Sequence, residues 1–397
     1  MSGRKRVAAI AFALCALCAG AVEMAVPRNV PPLFTPGERP KDGEAWRRGR
    51  RVELKKILET EVYGKRPVER PPHLAFSTEE PDADALDGAA VRRCIRVEYG
   101  GRYGTNSFTF VAYIPRSERP SPSFVLIASR PPEAYLGEAA GEDEGLWPVR
   151  SIVRRGYAAI AFHKEEVTPD KFHGNTRGVF AAFEDVEMPY RSYTSWGALS
   201  AWAWAASRVL DWIETQPSLD AKHVAAIGHS RCGKTALVAA AWDERFAMAC
   251  SNDSGDGGAK LHHIDLPLSE HIADSIRSRA FWYCRRYVHW VNRDMETPFD
   301  QHWLVALIAP RLVCIGSATE DDHAGPYGEY QTARYASPAW RVFRMKGFVS
   351  DGFPSPEAPQ QEGDISYHIR TGPHGLTSYD WKVYMDFADR HSWTDRR

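Results

Sequence analysis

The chain of 397 residues carries almost no net charge, with 50 Lys plus Arg against 51 Asp plus Glu. A nucleic-acid-binding protein would show a basic excess, so that class is set aside. Cysteine is scarce: there are seven, and Cys15 and Cys18 fall in the first segment. The other five (Cys94, Cys232, Cys250, Cys284 and Cys314) are odd in number, widely spaced and without a C-x-x-C pair. They form neither a disulfide framework nor a zinc-ligand pattern, and whether any one pair is bridged stays open. The longest apolar run, Val7 to Val22, falls short of the about 20 residues a membrane-spanning helix needs. No internal repeat or low-complexity tract is present. What the chain does have is a globular balance of 44% hydrophobic and 25% charged residues, with 13 Trp, 16 Tyr and 17 Phe to fill a core.

Arg4-Lys5-Arg6, the apolar run after them and Ala19-Gly20-Ala21 match a secretory leader cleaved after Ala21. Residues 1–21 are therefore expected to be removed, leaving 22–397 as a single domain that is secreted or periplasmic and not membrane-bound. Pro27, Pro31, Pro32, Pro36 and Pro40 make an extended lead-in. Leu54, Ile57, Leu58 and Val62 recur at helical spacing and stop before Gly64. Residues 67–88 read as loop. Val91–Tyr99 and Ser107–Ile114, separated by glycines, read as a hairpin. Beyond Pro122, short apolar runs at 124–128, 157–162, 223–227, 246–250 and 312–315 alternate with helical segments, including 199–213, 234–242 and 379–388. Residues 342–345 are a weaker strand candidate. Fully apolar strands alternating with helices predict a doubly wound, mostly parallel α/β sheet covered on both faces, with the hairpin as an antiparallel edge.

The chemistry concentrates at His223-Val-Ala-Ala-Ile-Gly-His-Ser-Arg-Cys-Gly-Lys-Thr235. An apolar strand enters a sharp turn with Ser230 at its tip, and a helix begins at once, which is the setting of a nucleophile elbow. The G-x-S-x-G spacing is not met, because Cys232 stands where its second Gly belongs. A phosphate-binding loop is the rival reading, since Gly228, four residues and Gly233-Lys234-Thr235 satisfy that pattern literally. A serine nucleophile needs a base and an acid, in this fold in the order Ser, Asp or Glu, His. Two acids fit the ends of later strands: Asp253 in Ser251-Asn-Asp-Ser-Gly255, and Asp321 in Ser317-Ala-Thr-Glu-Asp321. The base candidate is His374 in His368-Ile-Arg-Thr-Gly-Pro-His374. His262-His263, with Asp265 or His271, lacks the spacing that sets two imidazoles on one helical face, so it reads as a solvated loop. No metal and no cofactor are expected.

Taken with Pro298-Phe-Asp-Gln-His302 and Ala306-Leu-Ile-Ala-Pro310, these segments resemble the glucuronoyl esterases of lignocellulose degradation. The resemblance spans essentially the whole mature chain. It implies an α/β-hydrolase that cleaves the ester between 4-O-methyl-glucuronic acid on xylan and lignin alcohols through a Ser-His-Asp acyl-enzyme. By the family pattern Ser230 is the nucleophile, His374 the base and Arg231 the oxyanion-stabilising cation. Asp321 is favoured as the acid, with Asp253 kept as partner or substitute. Lys234 and Glu270 match residues of the sugar pocket. His323 stands where relatives often carry Trp, Asp256 where they carry Cys, and Ser129-Arg-Pro-Pro132 replaces a Gly-Asn-rich loop. The resemblance implies a glucuronoxylan or lignin–carbohydrate ester as the partner and a monomer as the working form. Two alternatives stay open: an acetyl or other carbohydrate esterase, or a glucuronoxylan-binding homologue with weak turnover.

Overall fold

The computed structural model describes residues 25–135, 145–188 and 191–394. The leader thus lies outside the described residues. Nine strands form one sheet: β1 (His73–Ala85), β2 (Ala90–Gly101), β3 (Gly104–Pro115), β4 (Ser121–Ala128), β5 (Ala158–His163), β6 (Leu219–His229), β7 (Met248–Asn252), β8 (Leu312–Ala318) and β9 (Ile365–Arg370). Their spatial order is β1-β2-β3-β5-β4-β6-β7-β8-β9. The first three strands pair antiparallel, β3 joins β5 antiparallel, and every pair from β5 to β9 is parallel. This is the expected doubly wound α/β-hydrolase architecture.

The apolar runs account for the parallel half. β4, β7, β8 and β9 are buried along their whole length, because each is roofed on both sides and packs side chains from both faces. One face is covered by a core that includes helices α1 (Arg50–Leu58), α2 (Ala198–Ile213) and α3 (Arg231–Trp242). The other is covered by Ile152, Trp381, Tyr384 and Phe387, with Trp381, Tyr384 and Phe387 on the final helix, α5 (Ser378–Arg390). Helix α4 (Pro326–Ala336) packs beside β8 and β9. Every residue of α2 is buried, and its Arg208 is tolerated there because Nε donates to Asp211 at 2.7 Å.

Two expectations are corrected. Residues 67–88 are not loop throughout, because β1 occupies most of them. Its alternation is masked by Glu79, Glu80 and Pro81 and broken by two register shifts, as suits an edge strand. Residues 342–345 form no strand: the segment turns after a short helix, with Arg344 at φ 62°. The ninth strand is instead Ile365–Arg370, whose His368 and Arg370 hid its buried character. All five described cysteines are free thiols, Cys250 and Cys314 facing each other across β7 and β8.

The winding reverses at β4, which pairs with β5 on one side and β6 on the other. Ligands of such sheets bind beyond the carboxyl ends of the strands at this reversal. Ser230, Asp253, Asp321 and His374 follow the carboxyl ends of β6, β7, β8 and β9 in turn.

Candidate active site

Ser230 occupies the corner between β6 and α3 with φ 57° and ψ −127°, a conformation that costs a non-glycine residue energy and is held only where the surroundings enforce it. They do so here through backbone bonds. The Ser230 N–H donates to the Asn252 carbonyl at 2.8 Å, and the Ser230 carbonyl accepts from Gly233 at 2.8 Å and Lys234 at 3.1 Å. A Cβ at Gly228 would lie 2.1 Å from the Cys232 carbonyl oxygen, so the turn closes only over glycine. At Gly233 a Cβ would lie 3.0 Å from the Asn252 oxygen, where α3 passes β7. The phosphate-loop reading fails on the same contacts. The amides of 230, 233 and 234 are already spent, and Lys234 Nζ is committed to Glu270 at 2.8 Å and to the Asp256 carbonyl. The amides of Arg231 and Cys232 open the helix, where no preceding turn supplies a carbonyl, and present its positive end.

His374 sits half-exposed on the loop after β9, and its Nδ1 lies 2.5 Å from Asp321 Oδ2. Its ring lies 4.3 Å, centroid to centroid, from that of His229, the residue just before Ser230. Among the described residues the Ser230 hydroxyl makes no hydrogen bond to His374. Such contacts commonly tighten only with substrate bound. Asp321, Asp253 and His374 each bring one polar atom within 4.8 Å of the others, a closeness the His374–Asp321 bond and the packing of the loops already explain without an ion.

Their surroundings move the two acids in opposite directions. Burial alone would raise the Asp321 carboxyl, but the bond to His374 outweighs it and holds the group below the usual range, as an anion. Asp253 is buried at φ 44° and pushed well above that range, first by burial and then by the neighbouring Glu329 carboxylate. One of its oxygens accepts from Gly375 N–H at 3.1 Å; Oδ1 has no partner among the described residues. His229 is driven down to about 4, mainly by burial and then by His374, so it stays neutral and donates Nδ1–H to Asn252 Oδ1 at 2.7 Å.

The loops carrying these groups are tied from behind. Arg370 is buried, and its NH2 donates to the carbonyls on both sides of His374, Pro373 at 2.8 Å and Gly375 at 2.6 Å. Its Nε donates to Asp380 at 3.0 Å, and Asp380 also accepts from His368, Thr377 N–H and Thr377 Oγ1. Glu329, on α4, accepts from Ser254 N–H (2.8 Å), Ser254 Oγ (3.0 Å), Gly255 N–H (3.0 Å) and Ser317 Oγ (2.7 Å). It therefore joins the loop after β7 to the carboxyl end of β8. Burial raises its carboxyl to about 7 despite these donors. A folded value above the unfolded one means the fold binds the proton more tightly, so this group's stabilisation is full below about 4.5 and lost as pH rises through about 7. Glu329→Gln is expected to flatten the fall in urea midpoint from pH 5 to pH 8. An unchanged slope would show that Glu329 does not cause it.

Arg231 lies over the Trp282 ring, 4.9 Å from its centroid, and donates to Asp170 at 2.6 Å. Lys234 and Glu270 form a nearly buried pair, with the Asp256 peptide between them: its N–H donates to Glu270 at 3.2 Å and its carbonyl accepts from Lys234. His323 is exposed at the rim, and its carbonyl accepts from the Glu270 N–H at 2.7 Å. The expectation of a solvated histidine loop is overturned. His262 and His263 are buried, each against a carboxylate: Asp256 at 2.9 Å and Asp300 at 2.8 Å. Burial alone would lower His262, but the Asp256 carboxylate outweighs it and raises the imidazole.

The order of strands, the elbow and the late histidine on its acid can be compared with known proteins. The family model described as "Glucuronyl esterase, fungi" matches residues 143–344. Carbohydrate esterase MZ0003, from an unknown prokaryotic organism, is 31% identical over 392 residues, which cover 91% of this chain and 88% of that protein. The chain belongs to the glucuronoyl esterase family. A solved glucuronoyl esterase from Solibacter usitatus superposes with a TM-score of 0.84 at 31% identity, covering 92% of this chain and 98% of that one. The 4-O-methyl-glucuronoyl methylesterase of Hypocrea jecorina is 33% identical over 257 residues, 60% of this chain and 54% of that protein. Glucuronoyl esterases are carboxylic-ester hydrolases, and this chain is an enzyme of that class.

Sequence reasoning missed His229, Asp170, Glu329, Arg370 and Asp380. His229 and Arg370 lie inside motifs already singled out, which was the available signal. Asp170, Glu329 and Asp380 carried none, because their partners are scattered along the chain.

Proposed function

We propose that this glucuronoyl esterase hydrolyses esters of 4-O-methyl-glucuronic acid, borne on xylan, with aromatic alcohols of lignin. The observation that carries the reading is the His374–Asp321 pair, with the His374 ring against that of the residue preceding a strained Ser230. Ser230 attacks the uronate carbonyl while His374 takes its proton. The oxyanion that forms is met by the first amides of α3 and by Arg231. His374 returns the proton to the leaving alcohol; it then takes a proton from water, which attacks the acyl carbonyl, and passes it to the Ser230 oxygen as the acyl bond breaks and the uronic acid leaves. Asp321, bonded to Nδ1, orients the imidazole and stabilises its charged form, whereas Asp253 accepts from the Gly375 amide. Lys234 and Glu270 receive the sugar hydroxyls. For the alcohol, Phe172 offers an exposed ring set edge-on to Phe281, next to Trp282. The protein acts after export, freed of residues 1–21, as a single-domain monomer. No helix among the described residues is long and apolar enough to cross a membrane.

The test is a substrate panel on the purified protein, using benzyl and methyl esters of 4-O-methyl-glucuronate against acetylated xylan. Turnover of both uronate esters, benzyl with the lower KM, is the expected result. Deacetylation outpacing uronate-ester cleavage would replace this substrate assignment, and binding of glucuronoxylan without turnover or fluorophosphonate labelling would replace the enzyme reading.

A further inference from the structure

Arg231 is a long side chain beside the expected reacting centre, and free in solution it would sample many rotamers. Here it is fixed at one end. NH1 donates to Asp170 Oδ2 at 2.6 Å while the guanidinium plane lies on Trp282. Its other nitrogens make no hydrogen bond among the described residues, which leaves donors for a substrate oxygen.

Asp170 is itself held by groups that do not depend on Arg231. Its Oδ1 accepts from Trp282 Nε1 at 2.7 Å, and its Oδ2 from Lys164 Nζ at 2.8 Å. The Asp170 and Lys164 side chains are 4% and 1% exposed. Lys164 directly follows β5 at the carboxyl edge of the sheet, and its ammonium lies 4.7 Å above the centroid of the buried Trp202. Burial alone would raise the Asp170 carboxyl, but Lys164, Trp282 and Arg231 together hold it below the usual range. Two cations thus converge on one buried carboxylate. Lys164 also reaches the Glu165 carboxylate at 3.3 Å, and Arg231 is the cation on the site side. Trp282 serves twice, with its N–H steering Asp170 and its ring face supporting the arginine.

We propose that Asp170, braced by Lys164 and Trp282, is a positioning residue that aims Arg231 at the carbonyl oxygen of the ester. This rests on the reading of Arg231 as an oxyanion-stabilising cation. A double-mutant cycle on benzyl 4-O-methyl-glucuronate separates the two ideas. Arg231→Ala is expected to lower kcat on the order of 10²-fold, the scale of one lost oxyanion donor. Asp170→Asn is expected to lower kcat about 10- to 100-fold with KM moved less than about threefold. In the Arg231→Ala background, Asp170→Asn should cost nothing further. Independent, multiplying losses would overturn the proposal, because a merely structural role persists without the arginine. Full kcat in Asp170→Asn while Arg231→Ala is impaired would also overturn it and leave the role of Arg231 standing. Full kcat in Arg231→Ala would remove that role and the proposal together. Should Asp170→Asn fail to fold, Trp282→Phe removes the N–H but keeps a ring, and its loss must likewise vanish once Arg231 is Ala.

Discussion

Ser230→Ala is expected to lower kcat on benzyl 4-O-methyl-glucuronate on the order of 10⁵-fold, with KM within about threefold of the parent. The loss is this large because nucleophile and base work as one unit, and removing either forfeits nearly all of what they supply together. The variant should fold normally. Ala keeps the Cβ, and the backbone contacts that enforce φ 57° run through Asn252, Gly233 and Lys234 rather than through the hydroxyl. Circular dichroism and the melting temperature provide that control. A well-folded Ser230→Ala protein with parental turnover would end the covalent mechanism.

The second large effect separates the two aspartates. Asp321→Asn is expected to lower kcat about 10⁴-fold, since an amide can no longer balance the imidazolium or hold its tautomer. Asp253→Asn should cost about tenfold or less. Burial and Glu329 push its carboxyl up, and its hydrogen bond is to the Gly375 amide beside His374 rather than to the imidazole. Asn keeps the shape, and one oxygen remains to accept that amide. Steady-state kinetics on both variants at neutral pH decides the matter. Equal losses, or the greater loss at Asp253, would reverse the assignment.

What the sequence revealed and what it hid follow from how far each interaction reaches. β6, the Ser230 corner and α3 were legible because their signals are local: an apolar run, two glycines at fixed distance, and a helix that starts at once. The serine–acid–histidine order was legible because strand ends in this fold come in a fixed succession. Asp253 against Asp321 was not decided by any pattern, since the difference is set by burial, by Glu329 on a helix elsewhere in the chain and by which acid reaches the His374 ring. β9 was hidden by His368 and Arg370, polar residues that pass as surface until Asp380 is found to satisfy both. His262 was misjudged for the same reason, its buried partner Asp256 being recognisable only in the folded chain. Asp170 was invisible because Lys164, Arg231 and Trp282 converge on it only in three dimensions.

Asp380 ties the C-terminal helix to the base. With Thr377 it forms the reciprocal cap that starts α5, and with its other contacts it braces the guanidinium that grips both flanks of His374. The imidazole is therefore mounted on the root of that helix rather than on a free loop. Tightening or fraying its opening turn therefore shifts the proposed base, a handle for engineering that lies away from Ser230 and leaves the residues around it unchanged.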